Sequence, residues 1–68
     1  MRSHLVGKIY RHSEGYYFLV EAIATDSVTG AEVVVYRGLY GDGFLYVRPV
    51  EMFLSEYERV KYPELDKE

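Results

Sequence analysis

The 68-residue chain contains no cysteine, no tryptophan and only two prolines. Without cysteine, neither a disulfide nor a thiolate-bound zinc ion is available to stabilise the fold. A chain this short buries only about 60% of the surface that its unfolded form exposes, so apolar packing has to supply the stability, and self-association is one way to add to it. We therefore expect one compact domain at residues 1–62 and a frayed C-terminal tail at residues 63–68.

Long apolar runs and an excess of basic residues are also missing. Apolar stretches such as residues 16–20 and 33–36 are far shorter than the about 20 residues of a membrane helix. Eight lysines and arginines against eleven aspartates and glutamates give a net charge of −3, which argues against binding to extended nucleic acid. These features predict a cytoplasmic protein that does not contact membranes.

The chain is rich in short segments of β-branched and aromatic residues, separated by polar clusters that contain glycine. This pattern predicts an all-β fold of four or five short antiparallel strands. Pro49 ends the fourth strand, residues 50–54 predict one short helical turn, and residues 55–61 fit either a strand or a helix. We expect a small SH3-like barrel, with a strongly curled antiparallel sheet as the alternative.

Alternation along the fourth strand separates two sets of side chains. Leu45 and Val47 share one face, and Tyr46 and Arg48 share the other. Because aliphatic side chains are buried more often than tyrosine or arginine, the pattern predicts that Leu45 and Val47 point inward. The full predicted core is Ile9, Phe18, Val20, Ala22, Val35, Leu45, Val47, Met52 and Phe53.

The sequence contains no pattern that indicates catalysis. A nucleophile needs an adjacent base, and although Ser13 follows His12, neighbouring residues on a strand point to opposite faces. His4 and His12 lack the spacing of a metal site. We therefore expect a protein that is not an enzyme and that has no catalytic residue, no metal and no cofactor.

Aromatic and basic residues that share strand faces give the candidate binding site. The predicted ligand-binding residues are Tyr10, His12, Arg37, Tyr46 and Arg48. Tyrosine and arginine are enriched where binding energy is concentrated. Here the cationic groups would meet an anionic group while the tyrosines stack on a flat part of the ligand. The expected ligand is a small anionic one: a nucleotide-like molecule, a short nucleic acid or an acidic peptide.

Two other interpretations remain open at this point. In the first, Arg48 pairs with Glu21, Glu32 or Glu51 and only covers the sheet with its stem. In the second, the chain is a protein interaction module that acts through an edge strand or an exposed tyrosine face. Pairing of edges or aromatic faces into a homodimer would also supply buried area that a short chain lacks.

Three runs of residues carry a resemblance to a known family: the triplet at 10–12, residues 34–37 and residues 47–53. With the residues between them, from Gly7 to Tyr62, they resemble the bacterial and phage family called domain of unknown function 1653. The resemblance implies that Arg11 and the five candidate site residues are the residues most worth testing. Tyr46 stands where the family commonly has tryptophan, which keeps a stacking surface of smaller area. No activity is implied by the family name.

Overall fold

The computed structural model describes residues 3–60, which form one antiparallel sheet with a short helix across it. After a 3₁₀ turn at Ser3–Leu5, the elements are β1 (Ile9–His12), β2 (Tyr17–Thr25), β3 (Glu32–Gly38), β4 (Leu45–Pro49), α1 (Val50–Glu56) and β5 (Tyr57–Arg59). The strand order is β4-β3-β2-β1-β5, so within the described residues β4 and β5 are the two edges and the sheet is not closed. The all-β prediction is confirmed, in the form of the curled sheet rather than the closed barrel.

The helix α1 connects the two edges of the sheet. Pro49 is its N-cap residue, and the helix is two residues longer than the predicted turn. It ends where Tyr57 becomes extended, with φ −119°, while the N–H of Tyr57 still donates to the carbonyl oxygen of Phe53. In the described part of residues 55–61 both predicted alternatives occur, since the helix ends at Glu56 and β5 follows at Tyr57–Arg59. Residues 63–68, the predicted tail, lie outside the described residues.

The helix packs on one side of the sheet, which we call the covered face; the opposite side is the outer face. Phe53 of α1 stacks on Tyr57 with 4.5 Å between ring centroids. The same ring lies 4.9 Å from the rings of Tyr10 and Tyr36. The buried residues are Leu5, Tyr10, Phe18, Val20, Val34, Tyr36, Val50, Phe53, Tyr57 and Val60. Aromatic rings therefore make up half of this core.

The structure corrects most of the predicted core. Phe18, Val20 and Phe53 are buried, as predicted. The predictions for Ile9, Ala22, Val35, Leu45, Val47 and Met52 are wrong, because these residues are half-buried or exposed. Leu45 and Val47 are 52% and 63% exposed. The two sets of side chains in β4 were separated correctly, but Tyr46 is on the covered face, where it packs against the core.

A β-bulge in β2 explains why Ala22 is not in the core. The pairing of β2 with β3 shifts between Val20 and Ala22, so Glu21 is an extra residue in the ladder. A bulge of this kind reverses the alternation of side chains along the rest of the strand. Ala22 therefore faces outward, and Ile23 packs against the core instead.

Candidate functional site: an aromatic pocket with one arginine

A pocket of about 200 Å³ opens on the covered face. Its walls come from β2, β3, the β3–β4 loop, β4 and β5. We call it the tyrosine pocket; its lining residues are Phe18, Tyr36, Tyr40, Tyr46, Arg48 and Tyr57. Five aromatic rings surround one cation, an arrangement that can stack on a flat group and donate hydrogen bonds to it.

Phe18 lies at the centre of the aromatic walls. Its ring meets the rings of all four pocket tyrosines edge to face, with centroids 5.3 to 6.2 Å apart. Edge-to-face contact is a favoured geometry for aromatic pairs. The walls are therefore ordered by contacts within the protein, before any ligand is present.

Arg48 is held in place from two sides. Its Nε donates to the hydroxyl oxygen of Tyr36 at 3.3 Å, and its Nη1 donates to Oε1 of Glu56 at 2.8 Å. Its Cζ lies 6.0 Å from the ring centre of Tyr57. The hydrogen bond to Tyr36 raises the pKa of Arg48 further above its already high ordinary value. These contacts use two of the five guanidinium N–H groups.

Two hydroxyl pairs complete the polar part of the pocket. The hydroxyls of Tyr36 and Tyr57 lie 3.1 Å apart, and those of Tyr40 and Tyr46 lie 3.4 Å apart. Burial raises the pKa of Tyr57, and the hydrogen bond with Tyr36 raises it further. The hydrogen bond with Tyr46 raises the pKa of Tyr40 to about 12. Tyr57 and Tyr40 therefore keep their protons at neutral pH.

Gly38 determines how Tyr40 reaches the pocket. A Cβ atom on Gly38 would lie only 2.9 Å from Cε2 of Tyr40, so any other residue would push the ring aside. The loop then turns at Gly43, whose φ of 69° favours glycine and whose N–H donates to the carbonyl oxygen of Tyr40 at 3.0 Å. The ring of Tyr40 also lies 4.7 Å from that of Tyr16, which extends the aromatic surface beyond the pocket.

Two of the five predicted site residues, Tyr46 and Arg48, line the tyrosine pocket. Tyr10 does not, because it is only 5% exposed and packs against Phe53 in the core. His12 lies at the first hairpin, where its Nδ1 accepts a hydrogen bond from the backbone N–H of Glu14 at 3.1 Å. Its ring packs edge to face against the ring of the pocket residue Tyr57, with centroids 4.9 Å apart.

The structure does not bring Arg37 together with Tyr46 and Arg48. Arg37 follows the covered-face residue Tyr36 in β3, and successive residues of a strand point to opposite faces. On the outer face, its Nε donates to Oε2 of Glu21 at 2.8 Å and its Nη1 donates to the carbonyl oxygen of Gly43 at 2.9 Å. Its guanidinium therefore stabilises the β3–β4 loop and does not reach the pocket.

Four pocket residues were not among the predicted ligand-binding residues: Phe18, Tyr36, Tyr40 and Tyr57. A signal existed for Tyr36, because it is directly opposite Tyr46 in the ladder between β3 and β4. Tyr57 gave no local signal, since its position depends on the return of β5 to pair with β1, which places Tyr57 opposite His12.

Among residues 3–60, no group of three or more histidines, aspartates and glutamates could hold a metal ion. No helix in the same range is long and apolar enough to cross a membrane.

Fold and pocket together define a small open-sheet β domain with an aromatic pocket that contains one arginine. Residues 8–65 match the model of a family described as "Protein of unknown function (DUF1653)", and the chain belongs to this family. The resemblance noted from the sequence is thus confirmed. No curated protein and no solved structure matches the chain. Because the family description states no activity, function has to be inferred from the pocket.

Proposed function

We propose that the domain is a non-catalytic binding module whose tyrosine pocket takes one flat ring that carries an anionic or hydrogen-bond-accepting group. Arg48 carries the proposal, because it contributes a charged, planar donor to a wall that is otherwise aromatic. Rings in the wall supply stacking surface, and the guanidinium supplies directed hydrogen bonds. A nucleotide-like molecule combines both features.

The size of the pocket limits what can enter it. An apolar cavity of about 150 Å³ holds a benzene ring, so a volume of about 200 Å³ suits a single ring with a small substituent. Pockets that enclose drug-sized ligands measure roughly 300–1,000 Å³. The remainder of a larger ligand would therefore lie outside, along the exposed rings of Tyr40 and Tyr16.

The charge of the pocket favours one acceptor group rather than several. Glu56 balances Arg48 at 2.8 Å, and Arg48 is the one cation among the lining residues. Arg37, the second predicted cation, is on the outer face, where it pairs with Glu21. A single carboxylate, phosphate or carbonyl edge fits the remaining guanidinium donors. An extended nucleic acid needs a row of cations, and we therefore do not propose it as the ligand.

A nuclear magnetic resonance titration of the isotope-labelled chain tests the proposal. The probes are nucleoside monophosphates, a short single-stranded oligonucleotide and an acidic peptide. We expect saturable shifts at Tyr40, Tyr46 and Arg48, and weaker binding at higher ionic strength because a charged contact is screened. Shifts confined to an edge strand would instead favour the protein interaction module.

A pair of arginine variants separates the pocket from general electrostatics. Arg48→Met keeps the apolar stem but removes the donors, and should weaken binding of the probe about tenfold or more, as expected for the loss of a charged hydrogen bond. Arg37→Met makes the same change on the outer face and should bind as the wild type does. Equal binding by Arg48→Met and the wild type would contradict the proposal. A cytoplasmic location and the absence of catalysis stay predictions.

A further inference from the structure

The outer face of the sheet is apolar across four strands. Cross-strand pairing places Leu19 next to Ile9, and Val35 between Ala22 and Val47. The apolar side chains on this face are Ile9, Leu19, Ala22, Ala24, Val33, Val35, Leu45 and Val47, all half-buried or exposed. None of them belongs to the buried core. Arg37 lies between Leu19 and Leu45 in the ladder, so these side chains flank a charged residue. Exposed apolar side chains that cluster on one face of a soluble protein often mark a contact site.

Two ion pairs lie on this face. Arg37 donates to Glu21 at 2.8 Å, and Arg11 lies 3.7 Å from Glu58 across β1 and β5. Each pair is neutral, although the whole chain carries −3. Two copies that meet through this face would therefore bring neutral pairs together rather than like charges.

We propose that the outer face is the contact surface between two copies of this chain, packed sheet against sheet. In a two-fold contact the same patch faces itself, so apolar side chains meet apolar side chains. Each ion pair of one copy then lies against a surface of the second copy whose charges are also paired. Sheets packed in this way lie about 10 Å apart with interdigitated side chains, which suits the aliphatic residues of this face.

A stable dimer needs a broad contact. A standard interface buries about 800 Å² on each partner, roughly one sixth of the 4741 Å² surface of this chain. The outer face is the broad face of the sheet that α1 does not cover. Residues 61–68 are less suited than a second copy to cover this apolar face, because five of these eight residues are charged.

Edge-to-edge pairing is a weaker route to a dimer in this fold. The edge strand β4 ends at Pro49, which has no N–H to donate, and the edge strand β5 has only three residues. Short edges and proline both limit strand addition. The outer face offers a larger and more uniform contact than either edge.

Sedimentation velocity on the wild type and two lysine variants tests this proposal. Val47→Lys places an unpaired charge in the outer face, where the side chain is 63% exposed in the monomer, so the fold tolerates it. Val28→Lys makes the same exchange in the β2–β3 turn, where valine is 89% exposed. We expect the wild type and Val28→Lys to sediment as dimers. Val47→Lys should dissociate at least roughly 100-fold more readily, because a two-fold contact buries the unpaired charge twice.

Three outcomes would overturn the proposal. A monomeric wild type at high micromolar concentration would show that the face does not join two copies. A dimer that survives Val47→Lys would point to an edge, and loss of the dimer in Val28→Lys would place the contact at the turn. Circular dichroism confirms that each variant is folded. Probe binding in the tyrosine pocket is measured separately, since that pocket opens on the covered face.

Discussion

The two faces of the sheet differ in chemistry and in what covers them. The covered face carries tyrosine and phenylalanine rings beneath α1, whereas the outer face carries valine, leucine, isoleucine and alanine with no layer above it in the described residues. A helix of seven residues can cover only one face. Aromatic rings offer more area per residue than aliphatic side chains do, so they give a thin core its largest gain.

Tyrosine also resolves a difficulty that burial of polar groups creates. Within the described residues, no buried side-chain nitrogen or oxygen lacks a hydrogen-bond partner. The hydroxyls of Tyr36 and Tyr57 satisfy each other, and Arg48 donates to the first of them. Rigid rings held edge to face do not fill space completely, and the tyrosine pocket is the gap that they leave. The aliphatic outer face has no such directed contacts and suits a less specific apolar partner surface.

The largest difference between the faces should appear in stability. Phe53→Ala removes the fully buried ring at the centre of the covered face and should lower the free energy of unfolding by roughly 3–5 kcal/mol. Leu45→Ala on the outer face, measured by urea unfolding at concentrations where the chain is monomeric, should cost less than about 1 kcal/mol. Equal losses would mean that the outer face belongs to the monomer core.

Alkaline pH should destabilise the covered face. The unfolded chain loses the Tyr57 proton near the ordinary pKa of 10.0, whereas burial and the Tyr36 hydrogen bond raise the pKa in the folded state. The stabilising contribution is thus fully present below pH 10 and is lost as pH rises towards the folded pKa. Above about pH 10 the free energy of unfolding should fall by up to about 1.4 kcal/mol per pH unit for this group.

Tyr57→Phe is the matched variant for the pH experiment. It removes the titrating hydroxyl but keeps the ring that stacks on Phe53. Urea unfolding between pH 8 and pH 12 should therefore show a shallower decline of stability in Tyr57→Phe than in the wild type. Identical slopes would mean that the Tyr57 hydroxyl is as accessible in the folded state as in the unfolded chain.

The contrast between the faces also shows how far the sequence could be interpreted. Alternation separates Leu45 from Tyr46 correctly, because it depends only on strand geometry. Which set is buried depends on where α1 lies, and no local pattern states that. The bulge at Glu21 could not be predicted from a local pattern either, because it is defined by the pairing with β3. Arg48 could be predicted as a site residue from the alternation in β4. The position of Tyr57 could not, because it depends on the pairing of β1 with β5.

A substitution at Gly38 should alter the pocket without weakening the core. Gly38→Ala introduces a Cβ atom 2.9 Å from the Tyr40 ring, so the ring has to leave its present position, 5.6 Å from the ring of Phe18. Because the moving group is the exposed end of a flexible side chain, stability should change by less than about 1 kcal/mol. Aromatic nuclear Overhauser effects between Tyr40 and Phe18 should weaken. In a Tyr40→Ala background, Gly38→Ala should leave the remaining pocket resonances unchanged; a change there would contradict a direct clash.

The smallest effect is expected for an arginine on the outer face. Arg37→Lys keeps the charge but loses the fork that reaches both Glu21 and Gly43. Because this ion pair is partly solvent-exposed, stability should fall by less than about 1 kcal/mol, and the difference should shrink at high salt. Arg48→Lys makes the same exchange on the covered face, where it removes the contact with Tyr36 and should shift the Tyr46 resonances. If Arg37→Lys shifts Tyr46 equally, the two faces are coupled through β3 and do not act as separate surfaces.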